Sequence, residues 1–166
     1  MTENSEDTSP PDIRKWLSVR VQTLAWELNR QMTALVRNHF DLTLPEWRII
    51  AHLAARSDVS VQTLAGLTGM DKAQASRTVT SLALSNMITR EDDPSDGRAV
   101  LVRLTDKGQA LYEQIAPISA ARREWLNTLA DKDDLETFLR VADTLIDALE
   151  DVPNLTPTDW NPDGSA

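Results

Sequence analysis

With 166 residues, 41% of them hydrophobic, and a net charge of -9, the chain has material for one domain with a core, or for a small domain plus an oligomerisation element, but not for two enzymatic domains. It contains no cysteine, which excludes disulfides, thiolate metal sites and any thiol-oxidation switch. No apolar run approaches the roughly 18 residues of a membrane span, so the expectation is a cytoplasmic protein with no membrane partner.

The charge is unevenly placed. Residues 1–12 hold four acids and no base, and residues 131–166 hold ten acids against Lys132 and Arg140. Residues 13–130 hold 15 bases and 12 acids, so overall acidity does not exclude a nucleic-acid partner, whose binding depends on the local field.

In chain order, residues 1–12 read as a disordered acidic N-terminus with two adjacent prolines. From Ile13 to Phe40, Leu17, Val21, Leu24, Leu28 and Leu35 fall at helical spacing and predict one long amphipathic helix. In TLPE (43–46), Thr43 at the N-cap and Glu46 three residues on form a capping box that opens a helix through WRIIAHLAA. Ser60 caps a helix of about two turns that Gly69 ends. Asp71 opens the next, with Gln74 in the capping-box position.

The apolar period then changes from near 3.6 to 2. MITR and AVLVRL predict a two-stranded hairpin, with Pro94 and Gly97 supplying the turn between them. Thr105 caps a second long helix carrying Leu111, Ile115, Ile118, Trp125, Leu126 and Leu129, with Pro117 expected to bend it. Leu135, Phe138, Leu139, Ala142, Leu145, Ile146 and Leu149 form the cleanest amphipathic stripe. Residues 152–166, with three prolines, read as a flexible tail.

The fold class is therefore mainly α, with residues 41–105 in the order of a winged helix-turn-helix. On the helix opened by Asp71, Ala75, Val79, Leu82 and Ala83 form one stripe, and Ala73, Gln74, Arg77, Thr80, Ser81 and Leu84 lie opposite. Such a face fits a DNA major groove, where Gln74 and Arg77 are able to make bidentate contacts with adenine and guanine edges and Thr80 and Ser81 offer hydroxyls. Ser60 and Lys72 sit at helix starts, where phosphate oxygens are readily bound. Arg98 at the hairpin tip would meet the focused negative potential of an adjacent minor groove, with Asp96 placed to hold it extended. The competing reading is a polar helix face beside a hairpin with a surface salt bridge, made more plausible by Glu91, Asp92 and Asp93.

Taken together, these residues resemble the MarR-type (multiple antibiotic resistance regulator) winged helix-turn-helix regulators. The carriers are Asp96-Gly97-Arg98 and the wing exit Leu104-Thr105-Asp106-Lys107-Gly108, with LTLPEWRII (42–50) and SVQTLAGLTGMDKAQASRTVTSL (60–82) before them. The resemblance implies a homodimer in which residues 13–40 and 106–151 form a helical dimerisation region and the two wings straddle a palindromic site. The apolar stripes support that expectation independently, since three long ones exceed what a winged lobe is able to cover; the rival is an intramolecular helix bundle.

The resemblance also implies a small aromatic or anionic effector between the dimerisation helices and the DNA-binding lobe. Trp16, Arg37, His39, Trp47, Arg48 and His52 are the candidates for such a pocket, against a structural reading with Trp47 in the core and the arginines solvated. His39 and His52 are the only histidines, too few for a metal site, and no cofactor is expected. Neither a glycine-rich phosphate loop nor a G-x-S-x-G motif is present, so an enzyme is not expected. The function expected is a sequence-specific DNA-binding transcriptional repressor. The alternative is a winged-helix protein-interaction module.

Overall fold

The computed structural model describes residues 12–56, 58–92, 100–150 and 152. The expected disordered N-terminus and flexible tail therefore lie outside the described residues, apart from Asp12 and Val152.

Asp12 accepts a hydrogen bond from the Arg14 amide and from its guanidinium at 2.7 and 3.0 Å, closing a 3-10 turn at Ile13–Lys15. Trp16 is extended, at ψ 138°, and the long helix α1 starts after it, at Leu17–Phe40. The sequence predicts one helix from Ile13. The side-chain cap at Asp12 favours a separate tight turn instead, because it satisfies the Arg14 amide locally.

The next three helices begin as their caps predict. In α2 (Leu44–Ala55) the Thr43 hydroxyl accepts from the Glu46 amide at 3.4 Å while the Glu46 carboxylate accepts from the Thr43 amide at 2.8 Å, a complete capping box. In α3 (Val61–Thr68) the Ser60 hydroxyl accepts from the Thr63 amide, and Gly69 ends the helix in the left-handed region at φ 66°. In α4 (Lys72–Leu84) Asp71 accepts from the Gln74 amide at 2.7 Å.

A short strand β1 (Val59–Ser60) precedes α3, and β2 (Ile88–Asp92) and β3 (Val100–Leu104) follow α4. The sheet is antiparallel in the order β1-β3-β2, with Val59 opposite Val102 and Ile88 opposite Leu104. The expected hairpin thus has a third strand, whose two residues are too short for a period-2 pattern to betray. The chain closes with α5 (Asp106–Asn127), which carries Pro117 inside its span, and α6 (Lys132–Glu150).

The chain divides into two units, Met1–Ala116 and Pro117–Ala166. In the first, Val36, Ile49, Ile50, Leu64, Ala75, Val79, Leu82, Val102 and Ile115 are fully buried and form one core. Trp47 is buried in it and stacks on Tyr112 of α5, ring centroids 6.0 Å apart. In the second unit no described side chain is buried, and Trp125, Leu129, Phe138, Leu139, Ile146 and Leu149 are exposed. No helix among the described residues is long and apolar enough to cross a membrane.

Candidate nucleic-acid interface

Helices α3 and α4 meet through the turn Gly69-Met70-Asp71. The turn is closed by Met70 donating to the Ala65 carbonyl at 3.0 Å, with Met70 itself buried. Ala75, Thr78, Val79 and Leu82 turn α4's inner side into the core. The opposite side is open: Ala73, Arg77, Thr80, Ser81 and Leu84 are exposed and Gln74 is part-buried. Leu84, at 84% relative exposure, is the most open of the large hydrophobic residues among those described. The structure therefore brings Gln74, Arg77, Thr80 and Ser81 onto one solvent-facing surface, as the helical wheel predicts.

Their hydroxyls are not equally free. Thr80 donates back to the Ser76 carbonyl at 2.9 Å, an ordinary intrahelical bond that leaves its lone pairs available. Ser81 donates across to Glu46 of α2 at 2.7 Å. The same Glu46 carboxylate accepts from both the amide and the hydroxyl of Thr43, each at 2.8 Å. Partial burial pushes the Glu46 carboxyl up, but the bonds from Thr43 and Ser81 together outweigh it and hold the group below its ordinary value. Thr43, Pro45 and Glu46 on one side and Arg77, Thr78 and Ser81 on the other line an open cleft of about 430 Å³.

The phosphate candidates lie at helix starts, as expected. Lys72 is exposed in the first turn of α4, whereas the Ser60 hydroxyl is occupied in capping α3 and also bonds the Thr63 hydroxyl at 2.9 Å. Asp96 and Arg98 lie outside the described residues.

At the base of the wing, Arg103 of β3 hydrogen-bonds Asp58 and faces Glu91 of β2 at 3.8 Å. The bond to Asp58 and the two negative charges push its guanidinium above the ordinary range. Glu91 is therefore part of an ion-pair network and not an isolated acid.

The wing exit motif does structural work. The Thr105 hydroxyl donates to the Asn86 carbonyl at 2.8 Å and accepts from the Gly108 amide at 3.1 Å. Lys107 Nζ donates to the Ser85 carbonyl at 2.9 Å, at the C-terminal end of α4 where a cation is favoured. A Cβ on Gly108 would stand 2.1 Å from the Met87 carbonyl oxygen, so glycine lets α5 start against the end of α4. Leu104–Gly108 thus ties the end of β3 to the end of α4.

The six effector-pocket candidates do not converge on this cleft. Trp47 is in the core, Trp16 is exposed at the break before α1, and Arg37 and His39 are exposed near the end of α1. Arg48, part-buried on α2, donates to Asn29 of α1 at 2.8 Å, and His52 is part-buried one turn further on. Among the described residues no cluster of His, Asp and Glu is arranged to hold a metal. Sequence reasoning missed the Glu46–Ser81 and Arg103–Asp58 bonds, whose partners are 35 and 45 residues apart. No local pattern signals such pairs.

A helix-turn-helix with an exposed second helix, followed by a strand hairpin, defines a winged-helix DNA-binding fold. Residues 40–99 match the MarR family model, so this lobe is similar to that family. The HTH-type transcriptional regulator FarR of Neisseria gonorrhoeae is 30% identical over 80 residues, 48% of this chain. That stretch spans 55% of the FarR sequence, little more than half of the relative's length. Among solved structures, a MarR/EmrR family transcriptional regulator from Acinetobacter sp. ADP1 is 27% identical with a TM-score of 0.79, over 86% of this chain and all of that one. MepR of S. aureus, solved as a DNA complex, shares the fold at 18% identity and a TM-score of 0.72, over 81% of this chain and 98% of its own. The FarR and Acinetobacter proteins are both named as transcriptional regulators.

Proposed function

We propose that the protein is a dimeric transcriptional repressor that binds a palindromic operator in double-stranded DNA. The observation that carries this reading is the recognition helix: α4 has a fully buried side and a solvent-facing side bearing Gln74, Arg77, Thr80 and Ser81. In this reading Gln74 and Arg77 read base edges in the major groove, with Thr80 and Ser81 on the same surface. Lys72 and the Ser60 region meet phosphates, and Arg98, steadied by Asp96, enters the minor groove. Support for dimerisation is the exposed apolar face of α6, with Phe138, Leu139, Ile146 and Leu149, and that of the first turns of α1, with Leu17, Val21 and Leu24. Residues 13–40 and 106–151 serve as the dimerisation region and 41–105 as the DNA-binding lobe.

A planar aromatic carboxylate is the effector class that fits Arg48 and His52, the part-buried cationic and titratable candidates, with Trp16, Arg37, His39 and the edge of Trp47 as further walls. It acts only if it binds the DNA-competent and DNA-incompetent dimers with different affinity.

The test is affinity for duplex fragments from upstream of the protein's own coding region at two salt concentrations, with Arg77→Ala and Arg98→Ala alongside. Binding should fall steeply with salt. Arg77→Ala should cost about 1–3 kcal/mol on the bound fragment and relax preference at one base pair of each half-site. A protein-interaction module would ignore salt and both substitutions. Titrating benzoate against the bound complex tests the effector.

A further inference from the structure

Within that DNA-binding reading, on which this inference rests, one member of the recognition face stands apart. The proton of the Ser81 hydroxyl is already donated to Glu46 Oε1 at 2.7 Å. The other oxygen, Oε2, takes the Thr43 amide and hydroxyl, each at 2.8 Å. One carboxylate thus fixes the first turn of α2 and the third turn of α4 at once, along the cleft that Arg77 also lines. A bond of this kind, with an ionised acceptor, is stronger than one between neutral groups.

We infer that Glu46 is a positioning residue for DNA recognition, acting through Ser81 to set the rotation and height of α4 so that Gln74 and Arg77 address the bases. Ser81 belongs to this clamp and is not a base reader. Recognition by side chains on a rigid helix tolerates little displacement, because bidentate contacts are lost when the donor pair is turned from the base edge. The α2 capping box makes Glu46 a rigid anchor: its own rotamer is held by Thr43, so it is able to hold Ser81. A second feature agrees. One turn beyond Ser81, at the C-terminal end of α4, Lys107 donates to the Ser85 carbonyl, so the last part of the helix is held by two separate ties.

The experiment compares Ser81→Ala, Glu46→Ala, the double variant and Glu46→Gln on the upstream fragment that the wild type binds and on an unrelated duplex, together with amide hydrogen exchange of each free protein. Ser81→Ala, which leaves the α2 cap intact, should lose about 3- to 10-fold in affinity for the specific fragment. Its non-specific affinity should be unchanged, and preference should weaken together at the bases that Gln74 and Arg77 read, not at one base pair alone. The double variant should lose no more than Glu46→Ala alone. Glu46→Gln should bind like wild type, because the amide accepts from Thr43 and donates to Ser81. Free Ser81→Ala should exchange faster at residues 81–85, the part of α4 that the clamp holds.

Additive losses, a Ser81→Ala that relaxes preference at one base pair, or a Glu46→Gln as weak as Glu46→Ala would overturn the clamp. If the wild type binds no DNA, the DNA-binding reading fails. The exchange measurement then decides the clamp alone, and unchanged exchange at 81–85 refutes it.

Discussion

Residues 17–115 and residues 117–150 carry the same kind of apolar pattern and use it in opposite ways. In the first stretch the stripes of α1, α2, α3 and α4 close over Val36, Ile50, Leu64 and Val79, all fully buried together with Val102 of the sheet. In the second, no described side chain is buried and Phe138, Leu139, Ile146 and Leu149 face solvent along α6. An amphipathic stripe states that a face needs cover and says nothing about where the cover comes from. In the lobe it comes from the same chain. Along α6 the proposed source is a second copy.

That contrast predicts different responses to substitution. Ile50→Ala, in the closed core, should cost about 2–5 kcal/mol whatever the protein concentration, read from chemical unfolding. Phe138→Glu, on the open face, should weaken self-association on the order of 100-fold while leaving the lobe folded. Sedimentation across a concentration series together with far-UV circular dichroism checks it. If Phe138→Glu unfolds the lobe, or a wild-type sample stays a single chain at high concentration, the contrast fails.

Smaller effects sharpen the description of the lobe. Gly108→Ala drives a methyl into the Met87 carbonyl and should cost about 1–3 kcal/mol of lobe stability, seen as a lowered Tm. Lys107→Met keeps the aliphatic stem but removes the cation from the Ser85 carbonyl, and should cost about 0.5–1 kcal/mol in the same assay. Glu46, with its carboxyl held below its ordinary value of 4.5, contributes stability that is fully present above that value and lost as pH falls through the lowered one. Glu46→Gln should therefore flatten the acid limb of a Tm-versus-pH curve, and an unchanged limb would contradict the hydrogen bonding described.

Much of this was legible in the sequence because the signals are local. Thr43 and Glu46, Ser60, Asp71 and Gly69 each fix a helix end within three or four residues, and every one of those ends is where the structure places it. The outward face of α4 followed from its period alone. The start of the first helix, expected at Ile13, differs because the Asp12 side chain takes the Arg14 amide and starts a separate turn. β1 escaped notice because two residues carry no alternation and the strand exists only through its pairing with β3. The Glu46–Ser81 and Arg103–Asp58 bonds were invisible for the same reason, being products of the tertiary fold between distant residues. The role of Leu104–Gly108 was not evident either, since its residues act on the end of α4, which their order in the sequence does not reveal.

The central claim is that a dimer reads DNA with the outer side of α4, and selection from a random duplex pool by wild type and Arg77→Ala tests it most directly. The account predicts that the wild type enriches an inverted repeat and that Arg77→Ala enriches the same repeat with one position relaxed symmetrically in both half-sites. No enriched sequence, or an identical repeat from both proteins, would contradict it.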